Sequence, residues 1–206
     1  MATKNLAPGR AVYGEKLVKR GEAEYRLWDP YRSKLAAAIL KGLKSMPIKP
    51  GATVLYLGAG AGTTVSHVSD ILGNGGKVYC VEFAPRAMRE LINKVCLHRR
   101  NAIPILADAR LPEAYPIPVP EVDAVYCDVA QPDQAKILAD NAERYLKKGG
   151  VAMIALKARS IDVTKPPSEL FEREIEELRG RGLKIEQSLR LEPYEKDHAF
   201  VVGRRA

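Results

Sequence analysis

Cysteine is scarce in this 206-residue chain. There are three, Cys80, Cys96 and Cys127, with no C-x-x-C pair among them. An odd count without paired spacing argues against a disulfide framework and a structural zinc site; free thiols and no bound metal are expected. Long apolar runs are also missing. None approaches the ~18 residues of a membrane span, and the opening MATKNLAPGR has no apolar core of the kind a secretory signal carries. A reducing compartment and no membrane contact are therefore expected. Aromatic residues are only 6% of the chain, and no aromatic RNP-type motif for reading bases occurs. No repeat or low-complexity segment is visible. What remains is 46% hydrophobic and 28% charged, the composition of a folded chain about one domain long.

Acidic side chains are outnumbered 25 to 33, for a formal net charge of +8. The imbalance is local. Residues 1–50 hold 11 Lys/Arg against 4 Asp/Glu, whereas residues 51–206 hold 22 against 21. A basic first quarter points to an acidic partner, nucleic acid being the usual one.

Residues 1–32 offer two short pieces with strand character, AVYGEKLV and AEYRLWDP, separated by glycines. Ser33 reads as the N-cap of a helix over 34–45, with Pro47 and Pro50 ending it. Past Gly51, short β-branched runs recur at 53–58, 77–82, 103–108, 122–128 and 151–157. Helical stretches at 64–71, 84–98 and 133–146 lie between most of them. Strand alternating with helix is the pattern of a parallel sheet covered on both faces. A helix over 169–179 follows, then strands at 183–191 and 198–204 whose EPYEK connection suits an antiparallel hairpin. The expected organisation is an N-terminal extension over 1–50 and an α/β domain over 51–206, with seven strands in its sheet.

The sharpest local signal is Gly58-Ala59-Gly60-Ala61-Gly62-Thr63-Thr64, which leaves the first strand of the α/β domain and opens a helix. Glycines there permit a tight turn and close approach of a ligand. The spacing is G-x-G-x-G rather than the G-x-G-x-x-G of dinucleotide binders. Glu82, Asp108 and Asp128 end the next three strands, so carboxylates line the sheet edge where open α/β sheets bind ligands. Glu82 is placed to accept ribose hydroxyls and Asp108 to accept an adenine amino group. S-adenosylmethionine suits this row better than NAD. It has no pyrophosphate, and its sulfonium is a cation. Lys157 finishes an apolar strand at the same edge, Lys34 begins the first helix, and His198 opens the last strand. No chemistry is assigned to His67 or His98. An NAD-dependent oxidoreductase and an assembly subunit without turnover share several of these features and stay open at this level.

Longer motifs narrow the field. Trp28-Asp29-Pro30-Tyr31-Arg32-Ser33-Lys34-Leu35, Gly62-Thr63-Thr64-Val65-Ser66-His67-Val68-Ser69-Asp70-Ile71, Val81-Glu82-Phe83, Asp128-Val129-Ala130-Gln131, Lys157-Ala158-Arg159-Ser160-Ile161-Asp162 and Tyr194-Glu195-Lys196-Asp197-His198-Ala199 together resemble fibrillarin, in its short archaeal form without a Gly/Arg-rich N-terminal domain. The resemblance implies a Rossmann-like, class I S-adenosylmethionine-dependent methyltransferase fold with a small N-terminal β extension and a cytoplasmic location. It also implies 2′-O-methylation of ribose in pre-rRNA, with tRNA as a second target class. A C/D box guide RNA, a Nop-domain scaffold protein and a kink-turn-binding ribosomal-type protein are the implied partners. The family's catalytic set falls on Lys34, Asp128, Lys157 and His198. The cofactor is expected at Gly58, Gly60, Gly62, Thr63, Thr64, Glu82, Phe83, Asp108, Ala109, Asp128, Val129, Ala130 and Gln131. Lys157 is assigned to the ribose hydroxyl, taking its proton if neutral or stabilising the developing alkoxide if charged. Asp128 is given an orienting role, and His198 positions Lys157 or the ribose.

Overall fold

The computed structural model describes residues 1–206. Three short strands, β1 (Ala2–Lys4), β2 (Leu17–Arg20) and β3 (Ala23–Leu27), form an antiparallel sheet in the order β1-β3-β2. After α1 (Lys34–Leu40) the chain alternates β4 (Thr53–Leu57), α2 (Thr63–Leu72), β5 (Lys77–Glu82), α3 (Pro85–Lys94), β6 (Ala102–Leu106), β7 (Val122–Cys127), α4 (Gln134–Tyr145) and β8 (Leu146–Lys157). It closes with α5 (Ala158–Ile161), α6 (Pro167–Gly180), β9 (Leu183–Arg190) and β10 (His198–Arg205). The main sheet has seven strands in the order β6-β5-β4-β7-β8-β10-β9. Its first five members are parallel, and β10 runs antiparallel to both β8 and β9. Strand order reverses between β4 and β7, and the crevice at their C-terminal ends is where such sheets take ligands.

The central strands are apolar without alternation because both faces are covered. Along β4, Val54 and Tyr56 enter one core, and Leu55 and Leu57 the other, as the period of two requires. Each fully buried side chain of this kind contributes about 1.5–3 kcal/mol. The first core also takes Leu35, Ala36, Ala37 and Ala38 of α1. That helix is therefore fixed against the same sheet that carries the crevice.

The three-stranded sheet docks on α2 through buried polar groups. Arg26 of β3 donates to Asp70 Oδ2 and Ser66 Oγ, both at 2.8 Å. Thr3 donates to the same Asp70 oxygen at 2.8 Å, the Leu6 amide to Oδ1 at 3.0 Å, and Arg99 reaches Oδ1 at 3.4 Å. His67, one turn earlier on α2, stacks on Trp28 with ring centroids 4.7 Å apart.

Several boundaries differ from the sequence reading. The helix expected over 34–45 stops at Leu40, because Gly42 adopts φ +89° and turns the chain before the prolines are reached. The helix expected over 84–98 ends at Lys94, with a separate 3-10 turn at Cys96–His98. β8 begins at Leu146, ahead of Gly149 and Gly150, and its register with β7 shifts between Val122 and Ala124. β1 and α5 had no sequence signal. No helix is long and apolar enough to cross a membrane.

Candidate active site

The crevice begins at the turn after β4. Gly58, Gly60 and Gly62 all have positive φ, at +79°, +54° and +94°. The amides of Gly58 and Ala59 donate to Val81 O at 2.9 and 3.0 Å, and the Asp128 amide donates to Leu57 O at 2.9 Å. These bonds fasten the turn between the exits of β5 and β7. A β-carbon on Gly58 would lie 3.0 Å from the main chain of Asp128 and Val129. The glycine is what lets the two exits touch.

Glu82 is only 7% exposed. Its Oε2 accepts the Gly60 amide at 2.8 Å and its Oε1 accepts the Ala84 amide at 2.9 Å. A carboxylate has about four acceptor positions, so each oxygen keeps one for a hydroxyl. Asp108 is engaged by Arg110, whose Nη2 and Nε lie 2.6 and 2.9 Å from Oδ2. That hydrogen bonding holds the Asp108 carboxyl below the usual carboxylate range.

A cavity of about 300 Å³ opens among these strand ends, lined by Gly58, Gly60, Glu82, Phe83, Asp108, Ala109, Asp128, Val129, Ala130 and Gln131 together with Val81, Ala107 and Ile137. Ala107 and Ile137 had not been singled out, and Val81 had appeared only within its motif; Val81 and Ala107 precede the acidic strand ends, and Ile137 comes from α4. Gly62, Thr63 and Thr64 do not line the cavity. A β-carbon on Gly62 would meet Val95 and Leu91 at 2.6 and 2.8 Å, so this glycine serves the packing of α2 on α3. Thr64 is buried and donates to Ser33 Oγ at 2.9 Å. Ser33 in turn accepts the Ala36 amide at 3.3 Å as the cap of α1. Thr64 thus sets where Lys34, the first residue of α1, emerges.

Four segments converge beside Asp128. The Lys157 amine donates to Asp128 O at 2.6 Å and lies 2.8 Å from its Oδ1. Lys34 Nζ is 3.4 Å from the same Oδ1. His198 faces Lys157 directly across the β8–β10 ladder. Its Nδ1 is 2.7 Å from Lys196 O; a carbonyl can only accept, so Nδ1 carries the proton and Nε2 is left for another partner. The sequence reading missed two further members. Glu195 stands 4.0 Å from both Lys34 Nζ and His198 Nδ1. Gln134 is fully buried, accepts the Lys157 amide at 2.9 Å and donates to Lys157 O at 3.1 Å. It locks the strand end that carries the lysine. Glu195 sits within the Tyr194–Ala199 motif, which was its available signal. Nothing in the sequence distinguishes Gln134 from an ordinary first residue of a helix.

The family model described as fibrillarin matches residues 1–206. A fibrillarin-like rRNA/tRNA 2′-O-methyltransferase of Pyrobaculum aerophilum is 58% identical over 206 residues, which is 100% of this chain and 88% of that one. Aeropyrum pernix fibrillarin, solved in complex with natively bound S-adenosyl-L-methionine, is similar at a TM-score of 0.91 and 53% identity, over 98% of this chain and 87% of that one. The structure of a fibrillarin/Nop5p complex is similar at a TM-score of 0.85 and 42% identity, over 100% of this chain and 93% of that one.

Proposed function

The chain belongs to the fibrillarin family, and on that premise we propose that it methylates ribose 2′-hydroxyls of rRNA and tRNA, with S-adenosylmethionine as donor. Its fold is that of the class I methyltransferases. The observation that carries the proposal is the Lys157 amine held 2.8 Å from Asp128 Oδ1, where Asp128 also lines the cavity.

The cavity fits the cofactor in its chemistry. Glu82 has free acceptor positions for a ribose diol, Asp108 accepts from an amino group, and Phe83 supplies an exposed ring for an adenine. The Asp128 carboxylate suits a neighbouring sulfonium. When bound, S-adenosylmethionine supplies a methyl group already activated for displacement.

The chain's own residues have to align a hydroxyl and handle its proton. An amine has four tetrahedral positions, one of them the Lys157 side chain itself. One of the others donates to Asp128 O, while Oδ1 is an ion-pair contact at 2.8 Å that receives no hydrogen bond. We place the ribose 2′-oxygen at one of the positions left open. In the reacting form that position carries the lone pair, so the hydroxyl proton moves to Lys157 Nζ as the oxygen becomes the nucleophile. The ammonium so formed is matched by Asp128. Lys34, beside the same carboxylate, holds Asp128 in place. His198 turns Nε2 toward the ribose, and Gln134 keeps Lys157 from drifting along its strand.

The complex of a relative with Nop5p supports a Nop-domain scaffold as partner. We extend the proposal to a C/D box guide RNA, which selects the nucleotide, and to a kink-turn-binding protein within the same particle. The three free thiols accord with a cytoplasmic location. The test is methyl transfer by the reconstituted particle to two RNAs that differ only in the sugar at the guided nucleotide. Ribose should accept one methyl and 2′-deoxyribose none. Equal transfer to both would remove the 2′-oxygen as the acceptor.

A further inference from the structure

One residue other than glycine has a positive φ in this chain, Asp197 at +57°. It immediately precedes His198, whose pairing with Lys157 ends the β8–β10 ladder. Aspartate tolerates the left-handed conformation better than most residues, so the torsion by itself says little. The bonds around it say more. Just past the Lys157–His198 pair, the Ala158 amide donates to Asp197 O at 3.1 Å. Arg159 Nε donates to Asp197 Oδ2 at 3.0 Å, and Arg159 is itself tethered through Nη1 to Val163 O at 2.8 Å. The Asp197 amide donates to Glu192 Oε1 at 3.3 Å. Amide, carbonyl and carboxylate of this one residue are all engaged. A sparsely populated torsion persists where its surroundings over-determine it in this way.

The torsion bears directly on His198. The Lys196 carbonyl lies in a rigid peptide plane, and the torsions of Asp197 decide how that plane faces the residue that follows. In the observed conformation the carbonyl is 2.7 Å from His198 Nδ1. It accepts the ring proton there, which leaves Nε2 with its lone pair. Glu195 Oε2, 4.0 Å from Nδ1, is too far to take that bond. We propose that Asp197 is a positioning residue for methyl transfer: its left-handed backbone holds the Lys196 carbonyl against His198 and so fixes the tautomer that presents an unprotonated Nε2 to the ribose. The inference rests on the ribose reading above and adds to it what sets the state of His198.

The test reads the tautomer from nitrogen NMR shifts of the His198 ring in the full chain, at about pH 9, above the ordinary histidine range. A Glu195→Ala background removes the neighbouring carboxylate as an alternative acceptor. In that background the ring should be a single Nδ1–H form. Adding Asp197→Val, whose branched side chain fits a positive φ poorly, should give the Nε2–H form or a mixture, and adding Asp197→Asn should leave Nδ1–H. In the reconstituted particle, with Glu195 intact, Asp197→Val should lower kcat roughly 10- to 100-fold, as loss of the outer partners that orient metal-bound histidines does. KM for S-adenosylmethionine should stay unchanged, and Asp197→Asn should restore kcat. The same criteria apply to Asp197→Ala, which is less strained, should the valine variant fail to fold. A pure Nδ1–H ring in the valine double variant, or wild-type kcat in an active particle carrying Asp197→Val, overturns the proposal and leaves the ribose reading standing. A wild-type particle that methylates no ribose overturns both, whatever the ring shows.

Discussion

At Gly58 the backbone has φ +79°, and a β-carbon would press on the Asp128 main chain at 3.0 Å; at Gly60 φ is +54°, but the space is open. Both positions charge an L side chain about 1–2 kcal/mol for the left-handed conformation. Only Gly58 adds a collision with the loop that holds Asp128. Gly58→Ala should therefore weaken S-adenosylmethionine binding by more than tenfold in calorimetry, and Gly60→Ala by only a few-fold. Equal affinities would show that the close approach of the two strand exits does not shape the cavity. The residue scale is also where the sequence was most legible. Carboxylates ending successive strands had to share one sheet edge, so Glu82, Asp108 and Asp128 came together at the cavity as their positions implied. The glycines were less legible. A run of G-x-G-x-G looks uniform in sequence, yet Gly62 faces Leu91 and Val95 rather than the cavity, because the chain has by then begun to turn into α2. The Arg110 clasp on Asp108 closes within one turn, two residues apart, and depends on the conformation of that turn; the Gln134 bracket on Lys157 joins residues 23 apart in the chain, which no local spacing encodes.

Between elements, the three-stranded sheet docks on α2 through buried polar groups. His67 is central to this docking. Its Nδ1 is 2.7 Å from Thr3 Oγ1 and its Nε2 is 2.8 Å from Tyr13 OH. Burial, reinforced by the charge of Arg26, pushes the imidazole down to about 3. An unfolded chain takes up a proton near pH 6.5, so between those values the unfolded state binds more protons than the native one. The stability contributed by neutral His67 is complete above about pH 6.5 and is lost as pH falls toward 3. Between pH 6 and pH 4 the loss amounts to about 2–3 kcal/mol. In urea titrations wild type should lose that much more over this interval than His67→Gln, which cannot titrate there. Parallel pH profiles would show that His67 is already protonated in the folded chain. The element types were readable from the alternation of apolar runs with helical stretches. The ends were not, because they are set by backbone conformation: Gly42 at φ +89° stops α1 well before Pro47. β1 has a single buried residue, Thr3, and so leaves no periodic trace.

Across the whole molecule, the proposed chemistry depends on segments far apart in the chain. Lys34 comes from the basic first quarter, Asp128 and Lys157 from adjacent strands in the middle of the sheet, and His198 from the antiparallel strand near the C-terminus. The reversal of strand order between β4 and β7 opens the cavity, and the β8–β10 pairing sets His198 opposite Lys157. The basic excess in residues 1–50 fits a polyanionic partner at that face. With base selection left to a guide, the chain itself has only to recognise a sugar hydroxyl and a strand. All of this turns on the amine of Lys157. The direct measurement is methyl transfer by the reconstituted particle carrying Lys157→Ala, with S-adenosylmethionine affinity determined on the same preparation. Transfer should fall by about 10²–10⁴-fold, the usual worth of a positioned proton acceptor, while cofactor affinity stays within a few-fold of wild type. Transfer within about threefold of wild type would contradict the account.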